Sequence, residues 1–406
     1  MRLSAALARA AFFAVLTLIG IWLALSRSSD GPPPNDADLM LAPAAPPEHE
    51  NAFLTLTSAA ALLDMPADES EVARWRALTD GAAWDDALAA SALARNERAL
   101  AAFARAGRQT KLHSLSSPND PAAARDVVAW LELSRLQALR TRALARSGHT
   151  SKAVAEALVS LRVARTIATD TNGSRLSSVL ARAIAEPGLD ALRAALAAGA
   201  LPLADEKFLV HELAQLRANL NAWRAPLAGE YRAWATQLPA PPAGPLPKAL
   251  ALLPDAYRYQ PNNTRAAFAE RIRAEQVSLG ERCEDRPAPA LVTGDDWFKP
   301  NYSGRLLLTV ALSHFTAAQA RCVYDTRIES LRAALAVRQF EQARGTLPPS
   351  LAALAPDYLP EPPQDWFADG ELRLDRAARE IVSFGRWDSD AEADPREERF
   401  PLLPAD

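Results

Sequence analysis

The sequence predicts a mainly α protein: an irregular helical bundle or short solenoid with a small C-terminal β-hairpin cap, preceded by one N-terminal transmembrane helix. Three observations lead there. An uncharged apolar run, Ala10 to Leu25, sits between Arg9 and Arg27. Beyond residue 51, apolar side chains recur at helical spacing, as in Leu209, Leu213, Leu216, Leu220 and Trp223. Near the C-terminus the pattern changes to two short strand-like segments, Glu371 to Asp375 and Glu380 to Phe384, with Gly385 closing the second.

Residues 1–28 form the anchor or signal. A helix starting near Leu3 offers about 23 residues, close to the ~20 that a bilayer needs. An uncleaved anchor and a secretory signal cut after Ala24-Leu25-Ser26 both fit this run. Its length, and Trp22 at the membrane interface, favour the anchor. Arg2 and Arg9 then stay inside, which places the bulk of the chain on the far side of the membrane, held by one pass.

Residues 29–50 read as a Pro-rich spacer, with Pro32, Pro33, Pro34, Pro43, Pro46 and Pro47 stiffening the chain against helix. Residues 51–238 form a helical region. Leu136, Leu139 and Ala143 mark one stripe, and Val154, Leu158 and Leu161 another. Asp120 before Pro121 caps a helix that stops at Gly148; Thr150 caps the next, which ends at Asn172-Gly173. A Pro-rich break follows at 239–262, including Pro239 to Pro247. The second helical region, 263–344, starts at Asn263 or Thr264 and crosses a loop from Glu281 to Pro300. It then holds one short helix and one long helix, the latter with Ile328, Leu331 and Leu335 on one face. Residues 345–406 form the cap and an acidic tail. Cys283 and Cys322 are the only cysteines, and an exported chain would join them. Closing that loop would stabilise by roughly 4 kcal/mol in the chain-entropy model; two unpaired buried thiols are the alternative.

Composition removes whole classes of function. Of 406 residues, 49% are hydrophobic and 23% charged, a folded profile. Lys plus Arg number 45 against 49 Asp plus Glu, a net charge of −4 that offers no basic surface for nucleic acid. The 16 glycines are widely spaced, the closest pair being Gly294 and Gly304. No Walker A loop, dinucleotide fingerprint or nucleophile elbow can form, so no nucleotide and no cofactor are expected.

The C-terminal residues carry a resemblance. Gly345-Thr346-Leu347-Pro348-Pro349-Ser350-Leu351 follows the long helix, then Tyr358-Leu359-Pro360, Asp365-Trp366-Phe367, the two strands and Ser383-Phe384-Gly385. This order resembles the C-terminal half of the major pseudopilins of type II secretion. It is similar, more closely still, to a group of uncharacterised bacterial membrane-anchored envelope proteins that carry this module after a helical region. Glu50-Asn51-Ala52 and Gln260-Pro261-Asn262-Asn263-Thr264 match two further motifs of that group. The prepilin peptidase signature and the pilin register Glu are both missing from the N-terminal run. The resemblance implies no activity. It implies protein partners in the cell envelope, among them a secretion or pilus-like machine.

Three sets of residues suggest chemistry. Asp388, Asp390 and Asp394 fall where the resembled pseudopilins hold calcium, though without the Gly-rich turn; a solvated acidic tail is the other reading. His211-Glu212 opens like a zinc-protease motif but lacks the second His four residues on. Glu329-Ser330 resembles the Glu-Ser pair of lytic transglycosylases, whose Glu is a general acid on peptidoglycan. The expected function is a non-enzymatic binding or scaffolding protein of the envelope, with a peptidoglycan-processing enzyme using Glu329 as the alternative. No catalytic, cofactor or metal residue is assigned outside these.

Overall fold

Local sequence chemistry starts several of the helices. The computed structural model describes residues 12–22, 30–66, 68–81, 84–115, 121–217, 220–238, 259–280, 283, 301–311, 317–368, 370–386 and 396–404. Helix α1 covers residues 12–22, and a short α2, Ala37–Met40, follows. Asn51 caps α3 (Ala52–Ala61), Asp68 caps α4 (Glu69–Thr79) and Asp85 caps α5 (Asp86–Arg95), each through its side-chain oxygen. After α6 (Glu97–Ala106), α7 (Pro121–Arg146) opens on a proline at its first turn, where no N–H is missed. Then come α8 (Thr150–Ala168), α9 (Arg175–Ala198) and α10 (Leu203–Leu216). Helices α11 (Leu220–Gln237), α12 (Pro261–Ser278), α13 (Tyr302–Ala311) and α14 (Ala317–Arg344) complete the set.

Several boundaries differ from the sequence reading. The stripe from Leu209 to Trp223 belongs to two helices, because Arg217 turns extended (ψ 153°) after α10. Thr150 is the first residue of α8, not its cap; Gly148 does stop α7, with φ at +77°. Helix α8 ends at Ala168, and Ser174 caps α9 in a capping box with Ser177. Helix α12 begins at Pro261, two residues earlier than expected. Asp120 and the Pro239 to Pro247 break lie outside the described residues.

The chain divides into two compact units, which do not follow the linear division drawn from sequence. One comprises residues 1–41, 231–274 and 287–314; the other comprises 42–230, 275–286 and 315–406. In the first unit the expected spacer is built into the fold. Leu39 of α2 is buried, and Tyr231 donates its hydroxyl proton to Asp36, which also accepts from Arg265 at 2.6 Å. Arg273 pairs with Asp38 at 2.6 Å. Proline density fixes φ but does not prevent Asp36 and Asp38 from finding donors. Burial alone would raise the Asp36 carboxyl; hydrogen bonds from Tyr231 and Arg265 outweigh it and hold the group below its ordinary range.

The second unit is layered helix on helix. Helices α7, α8 and α9 pack against one another, α3 packs on α6, and α14 lies against α9 and α10. Trp75, Leu78, Leu100, Leu136 and Leu139 form one core cluster. Close approach of α8 and α9 rests on small residues: a Cβ on Gly188 would stand 2.8 Å from that of Ser160. Every residue of α14 from Ala317 to Gln339 is buried except Gln319 and Arg327. Gly345, at φ +68°, ends that helix.

The cap holds more strand than a single hairpin. Strands β1 (Gln364–Asp365) and β2 (Gly370–Glu371) form one antiparallel pair. Strands β3 (Arg373–Asp375), β4 (Glu380–Arg386) and β5 (Arg396–Pro401) form an antiparallel sheet in that order. The first expected strand is thus split at Leu372, which is buried, and β4 continues through Gly385. Part of the expected acidic tail is the third strand, because Phe400 and Leu403 bury apolar surface. Among the described residues, no helix is long and apolar enough to cross a membrane. Of the expected span, only residues 12–22 are described, and every side chain there is exposed.

Candidate functional site

Helix α14 carries five buried charged residues, Arg321, Asp325, Glu329, Arg332 and Arg338. Its side chains meet neighbours on all sides, so charged residues there must be paired to be tolerated. Arg321 and Asp325 pair at 3.0 Å, one turn apart, and Arg321 also donates to the Leu279 carbonyl. Arg338, 1% exposed, pairs with Glu206 of α10 at 2.5 Å and donates to the Leu196 carbonyl at 2.9 Å. A separate buried cluster joins Arg175 to Glu275 at 3.0 Å and to Glu230 at 3.6 Å.

Glu329 sits in this framework. The carboxylate is 2% exposed and lies 2.6 Å from Arg332 and 2.9 Å from Arg217. Burial pushes its carboxyl above the ordinary glutamate range, against the pull of both guanidiniums. Ser330 donates to the Arg327 carbonyl at 2.9 Å. The expected zinc-like pair is also separated in role: His211 is exposed, and Glu212 pairs with Arg162 at 2.7 Å. Asp388, Asp390 and Asp394 lie outside the described residues. Among the described residues, no group of three His, Cys, Asp or Glu could hold a metal ion.

The cysteines are joined. Cys283 and Cys322 form a disulfide with a Cα separation of 6.4 Å, attaching the loop at 283 to α14. Phe367 and Val323 pack around it, and the Cys283 N–H donates to the Trp366 carbonyl at 2.9 Å. The Arg321 guanidinium lies 4.0 Å from the Trp366 ring centroid, so the disulfide, the cap and the charged helix meet at one place.

The motifs that carry the resemblance work as clamps. Asn51 is 2% exposed. Its Oδ1 accepts from the N–H groups of Phe53 (3.1 Å) and His113 (3.0 Å), while Nδ2 donates to the His113 carbonyl at 3.0 Å. Asn51→Ala should therefore lower stability by about 2 kcal/mol, read as a shifted urea midpoint at constant m-value. In the first unit, Asp30 accepts from the N–H groups of Asn262 and Asn263, both at 3.0 Å, at the start of α12. Asn301 accepts from the Gln260 N–H at 2.9 Å and from the Thr264 hydroxyl at 3.1 Å. Asp365 of β1 accepts from the Ser383 hydroxyl (2.9 Å) and the Phe384 N–H (2.8 Å), tying β1 to β4.

One feature escaped the sequence reading. A cavity of about 200 Å³ lies between α9, α14 and β5, with Leu189, Arg193, Arg327 and Phe400 in its wall. These residues are far apart in the chain, and no spacing rule connects them. Comparison of the chain with family models, with curated proteins and with solved structures returns no match.

Proposed function

We propose that this chain is a non-enzymatic binding or scaffolding protein of the cell envelope, tethered to the inner membrane by its N-terminal segment and exposed to the periplasm. The observation that carries the non-enzymatic part is the state of Glu329. A general acid must reach its substrate, whereas this carboxylate is buried and held by two guanidiniums. Such a group supports helix packing. The tether is supported by residues 12–22, where Phe12 (62% exposed), Leu18 (64%) and Trp22 (58%) present apolar surface on all sides of a helix. The Cys283–Cys322 disulfide suits an oxidising compartment. The association with a secretion or pilus-like machine rests on the C-terminal resemblance alone.

Purified wild-type chain incubated with peptidoglycan sacculi is expected to release no muropeptides above a buffer control. Release that is abolished by Glu329→Gln, in a variant whose melting transition remains cooperative, would establish the enzyme reading instead.

A further inference from the structure

Two charges of opposite sign line the cavity between α9, α14 and β5 without an ion-pair partner among the described residues. Arg193 is half-buried, and its guanidinium donates to the Pro401 carbonyl at 2.8 Å and to the Ser330 hydroxyl at 3.3 Å. Among the described residues no carboxylate stands within ion-pair distance of it, and Asp190 and Glu398 attract it from farther away. Its face lies 5.2 Å from the Phe400 ring centroid, which leaves the remaining N–H groups of the fork for another acceptor. Asp190, one turn earlier on the same helix, is exposed and lines the same cavity, and its charge acts on Arg193 and Arg142.

The other charges in the wall are already matched. Arg327 pairs with Glu398 at 3.1 Å, and Arg399 with Glu380 at 3.0 Å and Glu397 at 2.8 Å. Burial lowers the Arg193 guanidinium to about 10, and the neighbouring Arg327 adds to that shift against the pull of Asp190 and Glu398. The group still carries its proton at neutral pH. A partly desolvated cation with no carboxylate in direct contact among the described residues is a site that an incoming carboxylate would satisfy.

We propose that this cavity binds a small amino acid as its zwitterion, with the carboxylate on Arg193 and the ammonium at Asp190. Leu189, Leu331 and Phe400 supply an apolar wall for a short side chain. The cavity, about 200 Å³, is smaller than the pockets that hold drug-sized ligands and suits a small amino acid. This site goes beyond the scaffolding reading and does not depend on where the chain resides.

Isothermal titration of the intact, oxidised chain with L-alanine, acetate and methylammonium tests it. L-Alanine should bind with one-to-one stoichiometry, and acetate and methylammonium each at least about tenfold more weakly. Arg193→Gln should weaken L-alanine by about tenfold or more, since a charge-assisted hydrogen bond is lost, and Asp190→Asn should bring L-alanine down to the affinity of acetate. Asp190 is exposed, so that variant decides the matter alone if Arg193→Gln fails to fold. Undetectable L-alanine binding, or equal affinity for L-alanine and acetate with no effect of Asp190→Asn, would overturn the proposal.

Discussion

Arg338→Met is expected to lower the unfolding free energy by about 3–5 kcal/mol, the largest effect of any single substitution considered in this chain. Arg338 and Glu206 are each 1% exposed, and their 2.5 Å ion pair joins α14 to α10. Removing the guanidinium takes the Arg338 ion pair from a buried carboxylate, and the Leu196 carbonyl loses a donor. The cost comes from the desolvated carboxylate, no longer compensated by Arg338, more than from the lost attraction. The double variant Glu206→Leu with Arg338→Met should therefore recover most of the loss, giving a coupling energy of several kcal/mol in a double-mutant cycle. Urea unfolding of the four proteins at pH 7 measures this directly. Additive losses in the double variant would show that the two side chains do not depend on each other.

The disulfide should matter almost as much. Replacing both Cys283 and Cys322 with serine, or reducing the pair, is expected to cost roughly 4 kcal/mol through the released 39-residue loop, or about 10 °C in melting temperature. The effect should be larger than loop entropy alone if the packing of Phe367 and Val323 around the sulfurs loosens as well. Near-ultraviolet circular dichroism, with Trp366 beside Arg321, reports that loosening. A melt that is indifferent to reductant would mean that the bond adds nothing to the fold.

The helical class was legible because its signals are local. Val154, Leu158 and Leu161 lie on one face and are buried as a stripe, whereas the caps were less legible: Thr150 proved to be the first residue of its helix, and Asp68 and Asp85, which do cap, were not singled out. The two cysteines were legible by count, and the short and long helices after Ser303 by their lack of proline and glycine. Other features depend on tertiary partners distant in sequence. The chain from Asp30 to Leu41 reads as a spacer, but Asp36 meets Tyr231 and Arg265, some 200 residues later. Helix α14 carries charge on every face, so no periodicity marks it as central. Its burial follows from pairs that include Glu206 and Arg217 of the preceding region. For the same reason Glu329 reads in sequence as a candidate acid and in three dimensions as a strut. The cavity at Arg193 draws on α9, α14 and β5, and β5 itself was hidden in an acidic tail.

The central claim is that the folded chain works by binding partners in the envelope, and in-cell crosslinking followed by mass spectrometry of the captured neighbours tests it most directly. The account predicts enrichment of envelope proteins, with secretion or pilus-type subunits among them, from the intact disulfide-bonded chain. Neighbours drawn only from the cytoplasm, with Cys283 and Cys322 reduced in the cell, would contradict it.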